Sequence, residues 1–425
     1  MSLFGSLYTG VSALSAQSQS MGMISNNIAN VNTIGYKRNV ASFSDLVTQE
    51  GRSTAYAPGG VRASTQTTIN QQGILQQTNS STDAAISGDG FFVVKRGLTG
   101  QQETLYTRAG SFSEDARGFL RNANGFYLYG WRLDDDGNLP PGNADVNTLQ
   151  PVDVAFLNGI TAPTTKAEAQ INLNADQAAG GTAPHFSRAI TVYDTLGGPQ
   201  QLFIEFTKTA SNTWDLDVLD GASASGGTSV IGGPTTIDML PNAGIDTTGP
   251  FAPPLNFDAA TGAFTVTTGG IDWGNGSDPA QSIEVDISGL TQYAADYSVF
   301  VNQNGAELGL RTGISINREG YVVASFNNGL TRNLDKLPVA TFTNPNGLEG
   351  RSGNVYIQTQ QSGDYNLREA GTSGAGLMAP AQLESSNVDL ADEFSRMIIT
   401  QRAYSAGTKV VTTSDQMLQE LLQMR

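Results

Sequence analysis

The chain has 425 residues, which at roughly 150 residues per domain corresponds to about three domains. Its 39 acidic and 23 basic residues give a net charge of −16, which argues against nucleic acid and anionic membrane surfaces as partners. It has no cysteine and one histidine, His185, which excludes thiolate chemistry, disulfides and zinc clusters and leaves little room for a Ser-His-Asp triad. We therefore expect no enzyme, no cofactor, no nucleic acid partner and no membrane insertion.

The N-terminal segment carries no charged side chain before Lys37 and has the spacing of a helix. Serine, glutamine and asparagine interrupt its apolar residues throughout, so we expect neither a cleaved signal peptide nor a membrane anchor. Its apolar residues recur every seven positions, which predicts a helix with one thin apolar stripe. The stripe consists of Leu7, Leu14, Met21 and Ile28.

The region that follows reads as an extended connector and then as β structure. Residues 39–80 are rich in Gln, Ser, Thr, Gly and Asn. Short runs of β-branched and aromatic residues separated by turn residues come next, a pattern typical of sandwiches and barrels. The clearest runs are Gly90–Val94, Phe126–Tyr129, Gly320–Ala324 and Leu337–Phe342.

The middle of the chain differs in charge. Residues 151–288 contain 15 acidic and 3 basic residues, so this segment accounts for −12 of the net −16. We interpret it as a separate acidic β domain, inserted into the β domain whose strands flank it. The predicted division is a terminal helical core domain (1–32 and 386–425), an extended connector (33–80 and 371–385), an inner β domain (81–150 and 289–370) and an outer acidic β domain (151–288).

The C-terminal segment is a second helix with a seven-residue apolar repeat. Ser386 or Asn387 is the predicted N-cap. Polar residues lie midway between the repeated positions, so each terminus offers a thin stripe rather than a full coiled-coil seam, and the helices need further apolar neighbours. The fold class predicted is mainly β, with terminal helices that pair as a coiled-coil-like core. The C-terminal stripe consists of Leu390, Met397, Tyr404, Val411 and Leu418.

Candidate chemical sites are weak. The acidic segment Arg132–Asn138 lacks the ligand positions of a calcium loop and is better explained as a β-turn. Asp215 and Asp217 share one face of a predicted strand, which is typical of a solvated sheet. Trp214 alternates like a half-buried strand residue, which favours a core position over a sugar-binding cleft. His185 has no second metal ligand nearby, so we expect a structural or solvent-facing role.

One motif is specific. The segment Ser25–Arg38 resembles the signature of bacterial flagellar rod and hook proteins, in which a helix ends at N-x-A-N-x-x-T-x-G-[YF]-K. Leu383–Leu390 and Gln401–Tyr404 are similar to the closing motif of the same family. The glycine of the signature is expected to have a positive φ where the helix turns into the connector. The matching residues are Asn27, Ala29, Asn30, Thr33, Gly35, Tyr36 and Lys37.

The acidic insert extends this resemblance. Ile190–Gly197, followed by Trp214, is similar to the outer domain of the hook members of the family. The resemblance implies a self-assembling tube with helices inside and β domains outside, a universal joint that passes torque from rod to filament. It also implies that the partners are other copies, the distal rod, the hook cap protein, the hook–filament junction protein and the flagellar type III export apparatus. The implied location is extracellular, in the flagellar hook, without a cleaved signal peptide.

Two points stay open. Phe43 and Val47 bracket a segment that resembles an export motif of these substrates. A distal rod protein with an inserted domain remains an alternative, as does a secreted binding protein or carbohydrate-active enzyme that uses the acidic β domain.

Overall fold

The computed structural model describes residues 3–46, 59–100, 102–134, 137–142, 144–155, 159–181, 183–221, 226–248, 251 and 253–423. Within these residues the chain is mainly β, with one helix at each end, as the sequence predicts. The helices are α1, Leu3–Ala29, and α2, Leu390–Gln423. Neither is both long and apolar enough to span a membrane, and no other helix of the described residues is.

The chain folds into two compact units. Unit 1 comprises Met1–Phe156, Gly313–Ala324 and Thr331–Arg425, and unit 2 comprises Leu157–Thr312 and Ser325–Leu330. Unit 2 is thus an insertion in the chain of unit 1. The four-part division predicted from the sequence groups residues differently, since both helices belong to the same unit as the first β region.

Unit 1 contains α1, α2 and short antiparallel strands. Its strands before the insertion are β1 Asn39–Asp45, β2 Val61–Thr67, β3 Leu75–Gln77, β4 Ala84–Ser87, β5 Phe92–Lys95, β6 Leu105–Thr107, β7 Phe112–Glu114, β8 Leu120–Asn122, β9 Tyr127–Arg132 and β10 Gln150–Pro151. The strands of unit 2 are β11 Gly159–Ala162, β12 Lys166–Asn174, β13 Phe186–Tyr193, β14 Pro199–Ala210, β15 Thr213–Leu219, β16 Thr235–Asp238, β17 Leu255–Asp258, β18 Ala263–Thr267, β19 Glu284–Asp286, β20 Thr291–Tyr293 and β21 Ser298–Gln303. Two strands have residues in both units, β22 Ala306–Ile316 and β23 Tyr321–Phe326. The remaining strands of unit 1 are β24 Thr331–Lys336, β25 Val339–Phe342, β26 Glu349–Arg351, β27 Val355–Ile357, β28 Tyr365–Arg368, β29 Leu377–Pro380 and β30 Gln382–Glu384.

The main sheet of unit 1 has the order β24-β9-β5-β6-β27-β26. Smaller antiparallel pairs join the start of this unit to its end: β3 pairs with β30, and β4 with β29. Aromatic residues dominate the core, with Tyr106 and Phe342 in edge-to-face contact at 4.8 Å between ring centroids. The predicted connector contributes the antiparallel hairpin β1–β2, which packs on α1.

Unit 2 has two sheets around one apolar core. One is the antiparallel sheet β13-β14-β15-β16, and the other is the mixed sheet β17-β18-β19-β12-β20, with β21 also paired to β12. Trp214 is fully buried in this core, as predicted, and its Nε1 donates to Oε1 of Gln292 at 2.8 Å. Because β20 and β21 pair with β12, residues 289–312 belong to this unit, although the sequence pattern placed them in the inner β domain.

The N-cap of α2 is Asp389. Its Oδ1 accepts hydrogen bonds from the backbone N–H groups of Ala391 at 2.8 Å and Asp392 at 3.3 Å. N–H groups in the first turn of a helix have no acceptor within the helix, so the cap supplies one. The prediction of Ser386 or Asn387 was wrong. Asn387 is instead used as a tether, because its Oδ1 accepts from the backbone N–H of Arg38 at 2.8 Å.

Candidate assembly site

The end of α1 and the start of α2 meet in a buried polar junction, the motif junction, formed by residues 27–39 and 384–393. Asn27 is buried, and all of its side-chain hydrogen-bonding groups are engaged. Its Nδ2 donates to the backbone oxygen of Asn39 at 2.7 Å and to Oε2 of Glu393 at 3.1 Å. Its Oδ1 accepts from the backbone N–H of Asn39 at 3.0 Å and from the hydroxyl of Tyr36 at 3.2 Å. This one residue therefore joins α1, the following chain and α2.

A buried ion cluster lies beside it. Lys37 Nζ is 2.5 Å from Oε1 of Glu384, and both side chains are completely buried. Arg108 approaches the other oxygen of Glu384 at 3.3 Å, and the backbone N–H of Gly73 donates to Oε1 at 2.8 Å. Burial lowers the pKa of Lys37, against the opposing effect of Glu384, and burial likewise lowers the pKa of Arg108. Glu384 thus holds two buried cations in place.

Arg38 ties the same chain segment to the first turn of α2. Its Nη2 is 2.7 Å from Asp392 Oδ2, and its Nε is 2.5 Å from Glu393 Oε1. Hydrogen bonds from Arg396 and Arg38 hold the pKa of Asp392 below its usual value. Acidic residues in the first turn of a helix also interact favourably with its dipole. The two termini are therefore fixed to each other by charge as well as by packing.

Gly35 has φ +67°, which confirms the left-handed backbone predicted for it. Its N–H donates to the backbone oxygen of Glu384 at 2.7 Å. A Cβ at this position would lie 2.8 Å from the backbone atoms Ala109 N and Arg108 C. The glycine is required both by its conformation and by the close approach of another chain segment.

The other motif residues shape the turn after α1. Thr33 donates from its hydroxyl to Oδ1 of Asn30 at 3.1 Å, and Asn30 Nδ2 donates to the backbone oxygen of Asn26 at 2.9 Å. Ala29, the last residue of α1, is exposed. The motif therefore contains both buried tethers and residues that form only local contacts.

The seam between α1 and α2 places a glycine of each helix against an apolar side chain of the other. A Cβ at Gly10 would lie 2.9 Å from Val411 Cγ2, and one at Gly407 would lie 3.2 Å from Leu14 Cδ2. Most of the repeated apolar residues of both helices are only half-buried, and Leu390 and Tyr404 are exposed. The half-buried ones are Leu7, Leu14, Met21, Ile28, Met397, Val411 and Leu418. The buried residues of the pair are Gly10, Ala16, Ser20, Ile24, Asn27, Glu393, Thr400 and Ser414.

Large apolar side chains of the helix pair point into solvent. Phe4 is 71% exposed, Phe394 51% and Ile399 66%. At about 100° per residue, α2 presents them on two flanks of the seam. We call these residues the outward apolar faces. On α1 they are Phe4, Tyr8 and Val11. On α2 they are Leu390, Phe394, Ile398 and Tyr404 on one flank of the seam, and Ile399, Val410 and Met417 on the other.

Exposed large apolar side chains clustered on one helix pair are typical of a protein-interaction surface. By contrast, no group of three or more His, Cys, Asp or Glu residues within the described part of the chain is arranged to hold a metal ion. His185 has a structural role, as predicted: its Nδ1 accepts from the backbone N–H of Lys208 at 3.0 Å, and its Nε2 lies 3.1 Å from the backbone oxygen of Gly180. Phe43 is half exposed on β1, whereas Val47, the other end of the predicted export motif, lies outside the described residues.

Comparison with known families agrees with this arrangement. Four families match segments that together span most of the chain. They are the flagella basal body rod protein at residues 7–37, the flagellar hook protein FlgE/F/G D1 domain at 85–176, the flagellar basal body protein FlaE D2 domain at 158–306 and the flagellar basal body rod FlgEFG protein C-terminal at 380–424.

Relatives aligned over their full length show which protein of this group the chain resembles. The flagellar hook protein FlgE of Caulobacter vibrioides is 31% identical, and that of Rhizobium meliloti is 34% identical; each alignment covers 100% of both chains. The chain belongs to the flagellar hook protein FlgE family. It is a structural subunit of the flagellar hook. A solved hook protein, FlgE2 of Helicobacter pylori, aligns with 73% of this chain and 100% of its own, with a TM-score of 0.47 and 16% identity.

FlgE membership favours the hook over the distal rod and over a secreted binding protein. The motif junction contains residues that sequence reasoning did not single out, above all Glu384 and Arg108. Glu384 and the N-cap Asp389 lie inside the closing motif Leu383–Leu390, so that motif was the available signal for them. Nothing in the sequence indicates that Arg108, in the β region, approaches Glu384.

Proposed function

We propose that this hook subunit polymerises with itself through the outward apolar faces of α1 and α2. The observation that carries the proposal is that α1 and α2 already pack against each other within one subunit, while many large apolar side chains of both helices stay exposed. The packing of α1 against α2 within one subunit does not bury these side chains. Burying them against other copies contributes roughly 1.5–3 kcal/mol for each fully covered Leu, Ile, Phe or Met.

The motif junction gives this assembly a mechanical role. Asn27, Lys37 and Arg38 connect both helices to the β part of unit 1 through hydrogen bonds and ion pairs that are largely buried. Load carried by helices packed in a tube would pass to the β domains through these contacts rather than through an unstructured linker. This arrangement supports torque transmission by a universal joint.

Unit 2 supports flexibility of the same tube. It contains 16 acidic and 4 basic residues, a net charge of −12. Copies with this charge repel each other over about one Debye length, roughly 8 Å in physiological salt. Such surfaces make weak, wet contacts that can shift as a curved tube rotates.

The finer assignments rest on the resemblance stated above. We infer that the polymer joins the distal rod and meets the hook cap and hook–filament junction proteins, and that the subunit reaches the exterior of the cell through the flagellar type III export apparatus. An arrangement with the helices innermost and the acidic β domain outermost is proposed for the assembled tube. The heptad residues and the motif Asn27–Lys37 are its proposed assembly residues.

Electron microscopy of cells that lack this gene tests the proposal. We expect basal structures without hooks, and complementation by the full chain should restore hooks whereas a chain lacking residues 390–425 should not. As a control, the truncated chain should retain the thermal transition of unit 2, which shows that loss of assembly is not loss of folding. Hooks in cells without the gene, or hooks built from the truncated chain, would contradict the proposal.

A further inference from the structure

Asparagine is followed by glycine five times within the described residues, and one of these pairs differs from the others in its hydrogen bonding. The peptide nitrogen that follows an asparagine can attack the carbon of the side-chain amide, a reaction that ends in loss of ammonia. Glycine hinders this attack least because it has no Cβ and the widest choice of backbone conformation. The five pairs begin at Asn124, Asn275, Asn304, Asn328 and Asn346.

In four of the pairs the N–H of the glycine donates a hydrogen bond to the protein. The attacking nitrogen must give up its proton to solvent, and such a bond keeps that proton in place. Among the described residues, the N–H of Gly276 has no acceptor. The four bonds run from Gly125 to the backbone oxygen of Asn122, from Gly329 to that of Phe326, from Gly347 to that of Asn344, and from Gly305 to Oε1 of Gln303.

The side chain of Asn275 is placed for this attack. Its Oδ1 accepts from the backbone N–H of Ser277 at 3.0 Å, an Asx turn that folds the side chain back along the peptide bond to Gly276. The same N–H stabilises the negative charge that develops on Oδ1 as the bond to Cγ forms. Asn275 and Gly276 are exposed, and a Cβ at Gly276 would meet no atom within 4 Å, so the loop has space to bring the two reacting atoms together.

Asn328 is a natural comparison within the same unit. Its Oδ1 accepts from the backbone N–H of Leu330 at 3.1 Å, which is the same Asx turn. Gly329 has φ +82° against +84° at Gly276, and both glycines have open space around them. The two pairs differ in the hydrogen bond of the glycine N–H and in burial, since Asn328 is half-buried. A difference in their reactivity would therefore report on the fold and not on the dipeptide.

The side-chain amide of Asn275 also belongs to a buried network. Asp194 is completely buried, and its Oδ2 accepts from Nδ2 of Asn275 at 2.6 Å and from Gln200 at 3.0 Å. Its Oδ1 accepts from the backbone N–H groups of Leu196 at 2.9 Å and Gly198 at 2.8 Å, which fixes the turn that follows Asp194. A carboxylate at position 275 would remove one donor and place a second negative charge against the buried one.

We propose that Asn275 is a site of spontaneous deamidation, and that the reaction releases the turn at Asp194 from the loop that carries Asn275. The nitrogen of Gly276 forms a bond to Cγ of Asn275 and gives its proton to water, and the side-chain nitrogen takes up a proton and leaves as ammonia. Water then opens the cyclic imide and yields aspartate or isoaspartate, the second with one more carbon in the main chain. The reaction needs water alone and does not depend on the proposed assembly.

Peptide mapping by mass spectrometry tests the proposal, because each deamidated peptide is heavier by one dalton. The purified full chain is incubated folded, and in parallel unfolded in urea, at neutral and at mildly alkaline pH. In the folded chain we expect the reaction at Asn275 to be at least tenfold faster than at the other four asparagines, and to speed up as the pH rises. In the unfolded chain the five rates should be similar. Equal rates at Asn275 and Asn328 in the folded chain would overturn the proposal, as would an unmodified Asn275 under conditions in which the unfolded chain reacts.

The consequence for the turn is tested with the product itself. Asn275→Asp should lower the temperature of the thermal transition of unit 2, because it places two carboxylates together. The control Asn256→Asp adds the same charge at an exposed position on β17 and should leave that temperature near the wild-type value. Equal transition temperatures for the two variants would show that the new carboxylate does not release the turn, and would overturn that part of the proposal.

Discussion

Charged side chains that are buried in unit 1 concentrate where the end of α1 meets the start of α2. Glu384 binds Lys37 and Arg108 there, and Arg38 binds Glu393. Removing one member of such a group is costly because the remaining charges stay buried without compensation. Surface ion pairs behave differently, since water already solvates both partners. This contrast allows matched tests at the level of single residues.

Glu384→Gln should destabilise unit 1 by about 3–5 kcal/mol, because it leaves Lys37 and Arg108 buried without a counter-charge. The control Glu349→Gln removes an exposed partner of Arg351 at 3.4 Å and should cost less than about 1 kcal/mol. Urea unfolding of the full chain measures both. Equal costs would mean that the ion cluster does not stabilise the junction.

Gly35→Ala should cost more than the roughly 1–2 kcal/mol of left-handed backbone strain, because the added Cβ would meet backbone atoms of Arg108 and Ala109 at 2.8 Å. Gly125→Ala is the matched control, since Gly125 has φ +85° and open space around it. The free energies of unfolding of the two variants give the comparison. If both lose the same stability, the close approach at Gly35 has no energetic consequence.

Asp335 should make the stability of unit 1 depend on pH. Burial raises its pKa from 3.8 to about 7, against the opposing effect of Arg132, whose Nε is 2.9 Å from Oδ1. The folded state therefore binds the proton more tightly than the unfolded state, and this stabilisation is full below pH 3.8 and is lost as the pH rises to about 7. The stability of the wild type minus that of Asp335→Asn should fall across this interval, by at most about 4 kcal/mol, and then level off. Urea unfolding of both proteins from pH 4 to pH 9 measures this difference. A difference that does not change with pH would contradict the prediction.

Among the secondary-structure elements, the helix pair shows how glycine serves close packing. Gly10 and Gly407 lie where α1 and α2 approach each other, with Val411 over the first and Leu14 over the second. Gly22, also in α1, has open space where a Cβ would lie, with no neighbouring atom within 4 Å. Gly10 and Gly22 thus lie in the same helix in opposite environments.

Gly10→Ala should destabilise the helix pair, because the new Cβ would lie 2.9 Å from Cγ2 of Val411, a β-branched side chain with little rotational freedom. Gly22→Ala should stabilise the chain by about 0.5–1 kcal/mol through helix propensity alone. Thermal unfolding followed by helical circular dichroism compares them. A gain of stability in both variants would show that the seam has room to spare.

The sequence predicted both helices, because seven-residue apolar spacing is a strong helical signal, and it predicted the positive φ of Gly35 from the motif. Two residues of the predicted stripes, Leu14 and Val411, lie at the seam, over Gly407 and Gly10. The pattern did not predict the burial of Ser20, Thr400 and Ser414 on these helices, because hydrophobic periodicity does not detect buried polar residues. Nor could it place Arg108 against Glu384, a contact between residues 276 positions apart. The α2 cap was misplaced by two residues or more because several capping residues precede the helix.

For the whole molecule, the two compact units divide the physical tasks. Unit 1 presents large apolar side chains on a helix pair that its own core does not cover, and unit 2 carries a net charge of −12. Apolar burial favours association of copies, whereas like charge opposes it. In such a polymer, apolar burial at the helices would hold the subunits together, and repulsion between the acidic units would keep their contacts weak. The polymer would then be both cohesive and flexible.

The most direct test of this account replaces two exposed residues of α2, Phe394→Ser with Ile398→Ser, and measures polymer formation by sedimentation and electron microscopy. Both side chains are about half exposed in the subunit, so the monomer should unfold within about 0.5 kcal/mol of the wild type. The control, Thr412→Ser with Gln416→Ser, changes two exposed polar residues of the same helix outside the family motif and should polymerise normally. The account predicts that the apolar variant fails to polymerise or needs at least tenfold more protein to do so. Polymerisation of that variant at the wild-type concentration would contradict it.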